Sequence, residues 1–179
     1  MILSAFLCGT ALAADWQSLV DGRDLRNWRQ VGGNAQYRLE DDVLAGTSAA
    51  DTPNSFLVTR DTYSDFILEF EVLVDPELNS GVQIRSHVGD TGVVQGYQIE
   101  IDPTRRAFSG GIYDEQRRHW LYPLSRNEKG RRAFRNGRWN RFRVEAIGHS
   151  IRTWVNGIQT ADLVDDMTAD GFIGLQVHS

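Results

Sequence analysis

Tyr97-Gln98-Ile99-Glu100-Ile101-Asp102 is the stretch that decides the fold class. Apolar and polar residues alternate one for one, and a period of two marks a half-buried strand. Asp102-Pro103 then closes the run, because proline has no N–H to give a ladder. The same alternation recurs on both sides. Upstream, Gly81-Val82-Gln83-Ile84-Arg85-Ser86 alternates, and Phe66 to Val74 alternates around Glu69 and Glu71. Downstream come Trp139 to Ala146, Ile151 to Val155 and Phe172 to His178. Asp75-Pro76, Asn136-Gly137 and Asn156-Gly157 punctuate them as turns. Asn156-Gly157, set between Ile151–Val155 and Ile158, predicts a hairpin whose two turn residues take positive φ. No long stretch carries a 3.6-residue apolar stripe, and Arg131 to Arg138 reads as a polar loop. Many short strands between turns predict an all-β domain, a sandwich or a barrel.

A chain of 179 residues is expected to form one domain, since two would leave each core too small. Its 41% hydrophobic and 24% charged residues exclude a disordered tail, a collagen-like fibre and a polytopic membrane protein. A net charge of −5 opposes nucleic acid and anionic membranes as partners. Ten of the 19 basic residues do fall between Arg117 and Arg143, interleaved with Phe134 and Trp139. A single-strand-binding groove would use that pattern, but the overall charge favours a solvated loop. The lone cysteine, Cys8, leaves no internal disulfide. It lies in Ile2–Ala13, which is uncharged and ends in the small-x-small pattern Ala11-Leu12-Ala13. Residues 1–14 are therefore expected to be a signal peptide, too short for stable membrane insertion, with export to the periplasm or beyond. The competing reading of the same residues is a buried N-terminal strand or helix. Residues 15–179 are expected to form the single domain.

Strand polarity points to a site. Gln83 and Arg85 share one face, opposite Val82 and Ile84. Gln98, Glu100 and Asp102 share another, opposite Tyr97, Ile99 and Ile101. Gln176 and His178 share a third, opposite Ile173, Leu175 and Val177. The apolar faces suit a core between two sheets. Solvated strands would explain the polar faces, yet Gln, Arg, Glu, Asp and His recur there, with Asn79 and Tyr113 nearby. These groups hydrogen-bond sugar hydroxyls. Trp120, in a loop, is the candidate platform for a sugar ring, whereas Trp28, Trp139 and Trp154 are expected in the core. His87, His119 and His149 read as surface residues. Two residues apart on a strand, Glu100 and Asp102 lie about 7 Å from each other and point the same way. They could work as a general acid and base, hold a divalent cation with His178, or pair with Arg85 or Arg105.

An ordered series of short motifs resembles the 3-keto-disaccharide hydrolase family over nearly all of residues 15–179. The series begins with Trp16 to Trp28, Asn54 to Val58, Tyr63 to Phe70 and Leu78 to Arg85. It continues with Gly96 to Asp102, Gly110 to Asp114, Trp139-Asn140, Val155-Asn156-Gly157 and Gly171 to His178. The resemblance implies a concanavalin A-like antiparallel β-sandwich of the jelly-roll kind. Family members usually continue past this histidine into a final strand, so the domain is expected to lack its C-terminal strand. The implied substrate is a carbohydrate, a glycoside whose C3 hydroxyl a separate sugar 3-dehydrogenase has oxidised to a ketone. That ketone acidifies the C2 proton, so a base can remove it, the C1 substituent can leave, and water can add back. The implied catalytic residues are Glu100 or His178 as base, Arg85 or a bound cation on the oxyanion, and Asp102 orienting the histidine or binding the ion. Asn79, Gln83, Gln98, Tyr113, Trp120 and Gln176 are implied to bind substrate. Endoglucanases with a similar Glu-x-Asp strand place a second glutamate four or five residues on, and here those positions are Thr104 and Arg105. A non-catalytic carbohydrate-binding sandwich is the other alternative.

Overall fold

A computed structural model describes residues 2–8 and 16–178. Two antiparallel sheets pack face to face, as the alternation requires. The first contains β1 (Ile2–Cys8), β2 (Trp16–Ser18), β4 (Gln36–Glu40), β5 (Val43–Thr47) and β7 (Phe66–Leu73). It is completed by β12 (Asn140–Ile147), β13 (Ser150–Val155) and β14 (Ile158–Val164). Their order is β14-β13-β12-β7-β1-β5-β4, with β2 beside β1. The second contains β3 (Trp28–Gly32), β6 (Ser55–Thr59), β8 (Ser80–Val88) and β9 (Val94–Ile101). To these it adds β10 (Ile112–Glu115), β11 (His119–Tyr122) and β15 (Phe172–Val177), in the order β11-β10-β9-β8-β15-β6-β3. Of the two architectures left open, the protein is the sandwich.

The core lies between the sheets. From the first sheet Phe66, Leu68, Phe70, Val72, Phe142, Val144, Ile151 and Val155 point inward. They meet Val82, Ile84, Tyr97, Ile99, Ile101, Ile173 and Leu175 of the second. Phe70 and Phe142 stack with ring centroids 5.0 Å apart. The outer face of the first sheet is charged: Arg141 and Arg143 both pair with Glu69, and Arg143 and Arg152 with Glu145. Asn156 and Gly157 have φ of 49° and 79°, the conformation expected for the β13–β14 turn. Residues 131–138 hold one end of a four-residue helix, α1 (Glu128–Arg131), and are otherwise turn.

The second sheet departs from simple alternation in a useful way. Its strands β6, β8, β9 and β15 are buried on both faces over most of their length. On the outer face Phe56, Val58, Val94 and Phe172 form a small second apolar cluster. Beside it sit buried polar residues, Gln83, Gln98, Glu100 and Gln176. Burying polar groups costs free energy unless each finds a partner, so this half of the face needs a network of hydrogen bonds.

Ile2–Cys8 was expected within an export signal. In the structure it runs as β1 between β7 and β5, pairing Leu3 with Val72 and with Leu44. Residues 9–14 of that expected signal lie outside the described residues. Among the described residues no helix is long and apolar enough to cross a membrane. Trp28 is buried as expected, its indole N–H donating to the Leu19 carbonyl at 3.0 Å. Trp139 is a correction: it is 44% exposed, because it precedes the first inward residue of β12. Trp154 is half-buried on the charged outer face of β13.

Candidate active site

Antiparallel register lays the polar residues out as a grid. Phe56, Gln176, Gly81 and Glu100 form one cross-strand row over β6, β15, β8 and β9. Gly174, Gln83, Gln98 and Tyr113 form the next, ending on β10. One step beyond the strand ends, Asn54, His178, Asn79 and Asp102 have the same parity as the first row. A cavity of about 610 Å³ opens above this grid, lined among others by Asn79, Gln98, Glu100, Gln176 and His178. Gly81 stands between Gln176 and Glu100 in the first row, and a Cβ there would run into Gln98.

Glu100 is 3% exposed and is held by three donors. Asn79 Nδ2 donates to its Oε1 at 2.8 Å, Arg106 Nη2 to the same oxygen at 2.7 Å, and Gln98 Nε2 to Oε2 at 3.1 Å. Gln98 is itself fixed by Gln83, whose Nε2 donates to Gln98 Oε1 at 2.7 Å, and Ser86 Oγ donates to Gln83 Oε1 at 2.8 Å. A chain of three side chains, Ser86, Gln83 and Gln98, thus orients one carboxylate. Burial pushes the Glu100 carboxyl above its ordinary range, against the pull of Asn79, Gln98 and Arg106, while neighbouring Asp102 adds to the rise.

Asp102 has the opposite fate. Its Oδ1 accepts from the Thr104 backbone N–H at 3.1 Å and from Thr104 Oγ1 at 2.6 Å, closing an Asx turn. Its Oδ2 accepts from Arg106 Nε at 2.7 Å and from the Phe108 N–H at 3.1 Å. Burial works to raise this carboxyl, but those bonds outweigh it and hold it below the usual range. Two carboxylates with environments that drive their proton affinities apart are the pattern of a divided role. The turn that Asp102 closes also brings Arg106 back over the strand, where its guanidinium bridges both carboxylates. The guanidinium carbon lies 5.1 Å from the Trp120 ring centroid and 5.6 Å from that of Phe108.

The far wall is aromatic and acidic. Tyr113 meets Trp120 edge-on at 5.2 Å, and its hydroxyl is hydrogen-bonded to His119 Nδ1 at 2.7 Å. Glu115, two residues on along β10, lines the same cavity.

Of the expected site residues, Glu100, His178, Asn79, Gln98, Tyr113, Trp120 and Gln176 come together around one cavity. Three do not line it. Arg85 is 1% exposed and faces away from it. A bulge between Ile84 and His87, with φ of 45° at Arg85, breaks the alternation on which its placement relied. Its guanidinium donates to the carbonyls of Ser64 and Gly148 and to Asp65 Oδ1, tying two loops together. Gln83 is fully buried beneath Gln98, so it supports the site from below. Asp102 is turned into its own loop, where it orients Arg106 and not a histidine. Glu100 and Asp102 share the Arg106 guanidinium, and they are not grouped with His178 as a set of metal ligands. Among the described residues no group of three His, Cys, Asp or Glu is placed to hold a metal ion.

Sequence reasoning missed Arg106, Glu115, Asn54 and Thr104, all lining the cavity. Glu115 was legible, because it shares strand parity with Tyr113. Arg106 was not, because its position depends on the fold of a loop; Arg105 stood at the position weighed for the ion pair. His119, read as a surface residue, braces the wall through Tyr113.

The chain matches the 3-keto-alpha-glucoside-1,2-lyase-like domain over residues 15–179. No curated protein matches it in sequence. Among solved structures it is similar to a provisionally assigned glycosyl hydrolase from Parabacteroides distasonis (TM-score 0.67, 16% identity, 91% of this chain and 87% of that one). It is also similar to the carbohydrate binding module CBM66 from Bacillus subtilis (TM-score 0.60, 17% identity, 85% and 88%). A prokaryotic β-1,3-1,4-glucanase derived from a mouse hindgut metagenome superposes at TM-score 0.58, with 15% identity over 98% of this chain and 86% of that one. At such identities the likeness is one of fold, and it agrees with the sandwich built above.

Proposed function

Because the chain belongs to the 3-keto-alpha-glucoside-1,2-lyase-like domain family, we propose that it is an exported enzyme that cleaves 3-keto-glucosides by removing the C2 proton and eliminating the C1 substituent. The observation that carries this reading is Glu100, a buried carboxylate at the cavity surface, oriented by Asn79, Gln98 and Arg106. A carboxylate has about four acceptor positions, and three are taken, so one remains for a substrate proton. Its raised proton affinity makes it a stronger base than an ordinary carboxylate. Arg106 takes the part first expected of Arg85: its guanidinium sits beside the base, where the enolate oxygen at C3 would develop charge. Gln176 lines the cavity at 1% exposure, and its buried Oε1 has no hydrogen-bond partner among the described residues. It awaits a donor, and a sugar hydroxyl is one. Trp120 offers a ring face for the sugar, and His178 and Asn79 flank the base. Water then adds across the C1=C2 bond to give the free 3-keto-sugar. The oxidised substrate requires an upstream sugar 3-dehydrogenase, and Ala11-Leu12-Ala13 supports export.

The test is incubation with a 3-keto-disaccharide and with its unoxidised parent, each with and without chelator. Release of a 3-keto-monosaccharide from the oxidised sugar alone is expected, and Glu100→Gln should lower it about 10²–10⁴-fold. The chelator arm decides whether a cation shares the oxyanion with Arg106. Sugar binding without release from either compound would refute the enzyme and leave a binding module.

A further inference from the structure

Elimination moves two protons, one off C2 and one onto the departing oxygen. Glu100 accounts for the first and leaves the second unassigned. The opposite wall holds a carboxyl that the site as described has not used. Glu115 closes β10 opposite Gly96, on the same strand face as Tyr113. Gly96 is required there: φ is 146°, and a Cβ would lie 2.1 Å from Ser86 Oγ. Glu115 is 8% exposed and lines the cavity.

Its surroundings differ from those of every other buried acid. Glu100 and Asp102 share Arg106, and Asp114 binds Arg117 and Arg118. Glu115 makes no ion pair among the described residues, and its carboxylate accepts from Gln116 Nε2 at 3.2 Å. Tyr113 stands electrostatically between the two acids. After burial itself, the charges of Glu115 and Glu100 are what push its phenol up.

Resting on the function proposed above, we propose that Glu115 is the general acid of the elimination and hands its proton to the glycosidic oxygen as the C1–O bond breaks. The C2–H electron pair becomes the C1=C2 π bond, and the C1–O pair leaves with the oxygen. Glu100 gains one proton and Glu115 loses one, so no oxidant or reductant is needed. In the hydration half the roles reverse: Glu115 takes a proton from the water that attacks C1, and Glu100 returns one to C2. Burial, opposed by Gln116 and by the charges of His178 and His119, pushes the Glu115 carboxyl up, which is the direction an acid needs. Arg106, Tyr113, His178 and Glu100 are the other charged or titratable groups lining the cavity with it, and His119 stands behind Tyr113.

Leaving-group dependence tests this role. A sugar alcohol cannot depart without a proton, whereas 4-nitrophenolate can. Glu115→Gln should lower kcat/KM on a 3-keto-disaccharide about 10²–10³-fold and on 4-nitrophenyl 3-keto-glucoside less than about fivefold. The alkaline limb of the disaccharide profile should disappear with it, because an acid works only while protonated. If Glu115→Gln unfolds, Glu115→Asp keeps a carboxyl and should show the same ordering with smaller losses. Equal losses on both substrates, or none on either, would overturn the role of Glu115. A wild-type protein inactive on both would instead overturn the underlying function.

Discussion

Gly81→Ala tests whether the glutamine chain sets the base. The new Cβ would lie 2.5 Å from both Cγ and Cδ of Gln98 and 2.8 Å from its Nε2. Carbon atoms rest at about 3.5–4.0 Å, so Gln98 must retreat by roughly 1 Å. Gln98 is buried between Gln83 and Tyr113, and retreat breaks its bonds to Gln83 (2.7 Å) and Glu100 (3.1 Å). A neutral bond contributes about 1 kcal/mol and one to a charged group about 1.5–3, so the loss is roughly 2–4 kcal/mol. In a domain of this size that lowers Tm by roughly 5–15 °C. Gln98 also lowers the proton affinity of Glu100, so losing it drives that carboxyl further up. A base must be unprotonated to act, so the acidic limb of kcat/KM should move to higher pH. Thermal unfolding and a pH series on a 3-keto-glucoside read the two effects separately. A Gln98→Ala background should remove most of the cost, since the clash has lost its target. A Gly81→Ala protein with wild-type Tm and an unmoved limb, or a cost undiminished by Gln98→Ala, would refute the reasoning.

Three further outcomes are expected. Asp165 accepts from both Arg118 Nη1 and Nη2 at 2.9 Å and from the Tyr97 hydroxyl. Burial opposes them, yet they bring the carboxyl from 3.8 down to about 2. That linkage contributes about 2 kcal/mol, present above the ordinary carboxylate pKa and lost as pH falls toward the folded value. Asp165→Asn should therefore lower Tm by roughly 4–8 °C at neutral pH, with the gap closing in strong acid; a gap independent of pH would contradict the linkage. Arg85→Lys should cost roughly 2–3 kcal/mol in urea unfolding through its lost Ser64 and Asp65 bonds, while kcat of the folded protein stays within about twofold; a selective loss of kcat would return Arg85 to the site. N-terminal sequencing of protein recovered from the periplasm or medium should begin at Ala14 or Asp15, and recovery from the cytoplasm alone, with the N-terminal segment intact, would contradict export.

The fold was legible because most inward residues obey a period of two. Val82, Ile84, Ile99, Ile101 and Leu175 all lie where alternation puts them. The Asn156-Gly157 hairpin follows from turn chemistry alone. The site was legible in part for the same reason: Gln98, Glu100 and Gln176 share a face by parity, and register then aligns them across strands. What parity cannot show is a bulge. A single left-handed residue at Arg85 turned its side chain into the loops behind the sheet. Nor can parity show that a face is buried twice over, which is why Gln83 became a brace beneath the cavity. Arg106 depended on how the loop after Asp102 folds, where the local Asx-turn bonds to Thr104 are joined by bonds from Arg106 and the Phe108 N–H. Trp139 shows the limit of composition, since hydrophobic size alone does not place a residue that precedes a strand.

Under the proposed function, the arrangement of the acids also says why the substrate would be an oxidised sugar. Glu100 is a stronger base than a free carboxylate, yet it remains a carboxylate. No carboxylate removes a proton from an ordinary sugar carbon. The same base suffices when a neighbouring ketone delocalises the charge, and Arg106 beside it offers a cation to that charge. Replacing the buried Gln83–Gln98–Glu100 chain with apolar residues would relieve desolvation, so its presence runs against stability and in favour of a positioned base. Asp102, held ionised by four hydrogen bonds, keeps Arg106 in place without competing for the proton. An unoxidised parent sugar would still fit these hydrogen bonds and stack on Trp120. On this reading it should act as a competitive ligand that the enzyme never turns over, so discrimination resides in the acidity of one C–H bond and not in the shape of the cavity.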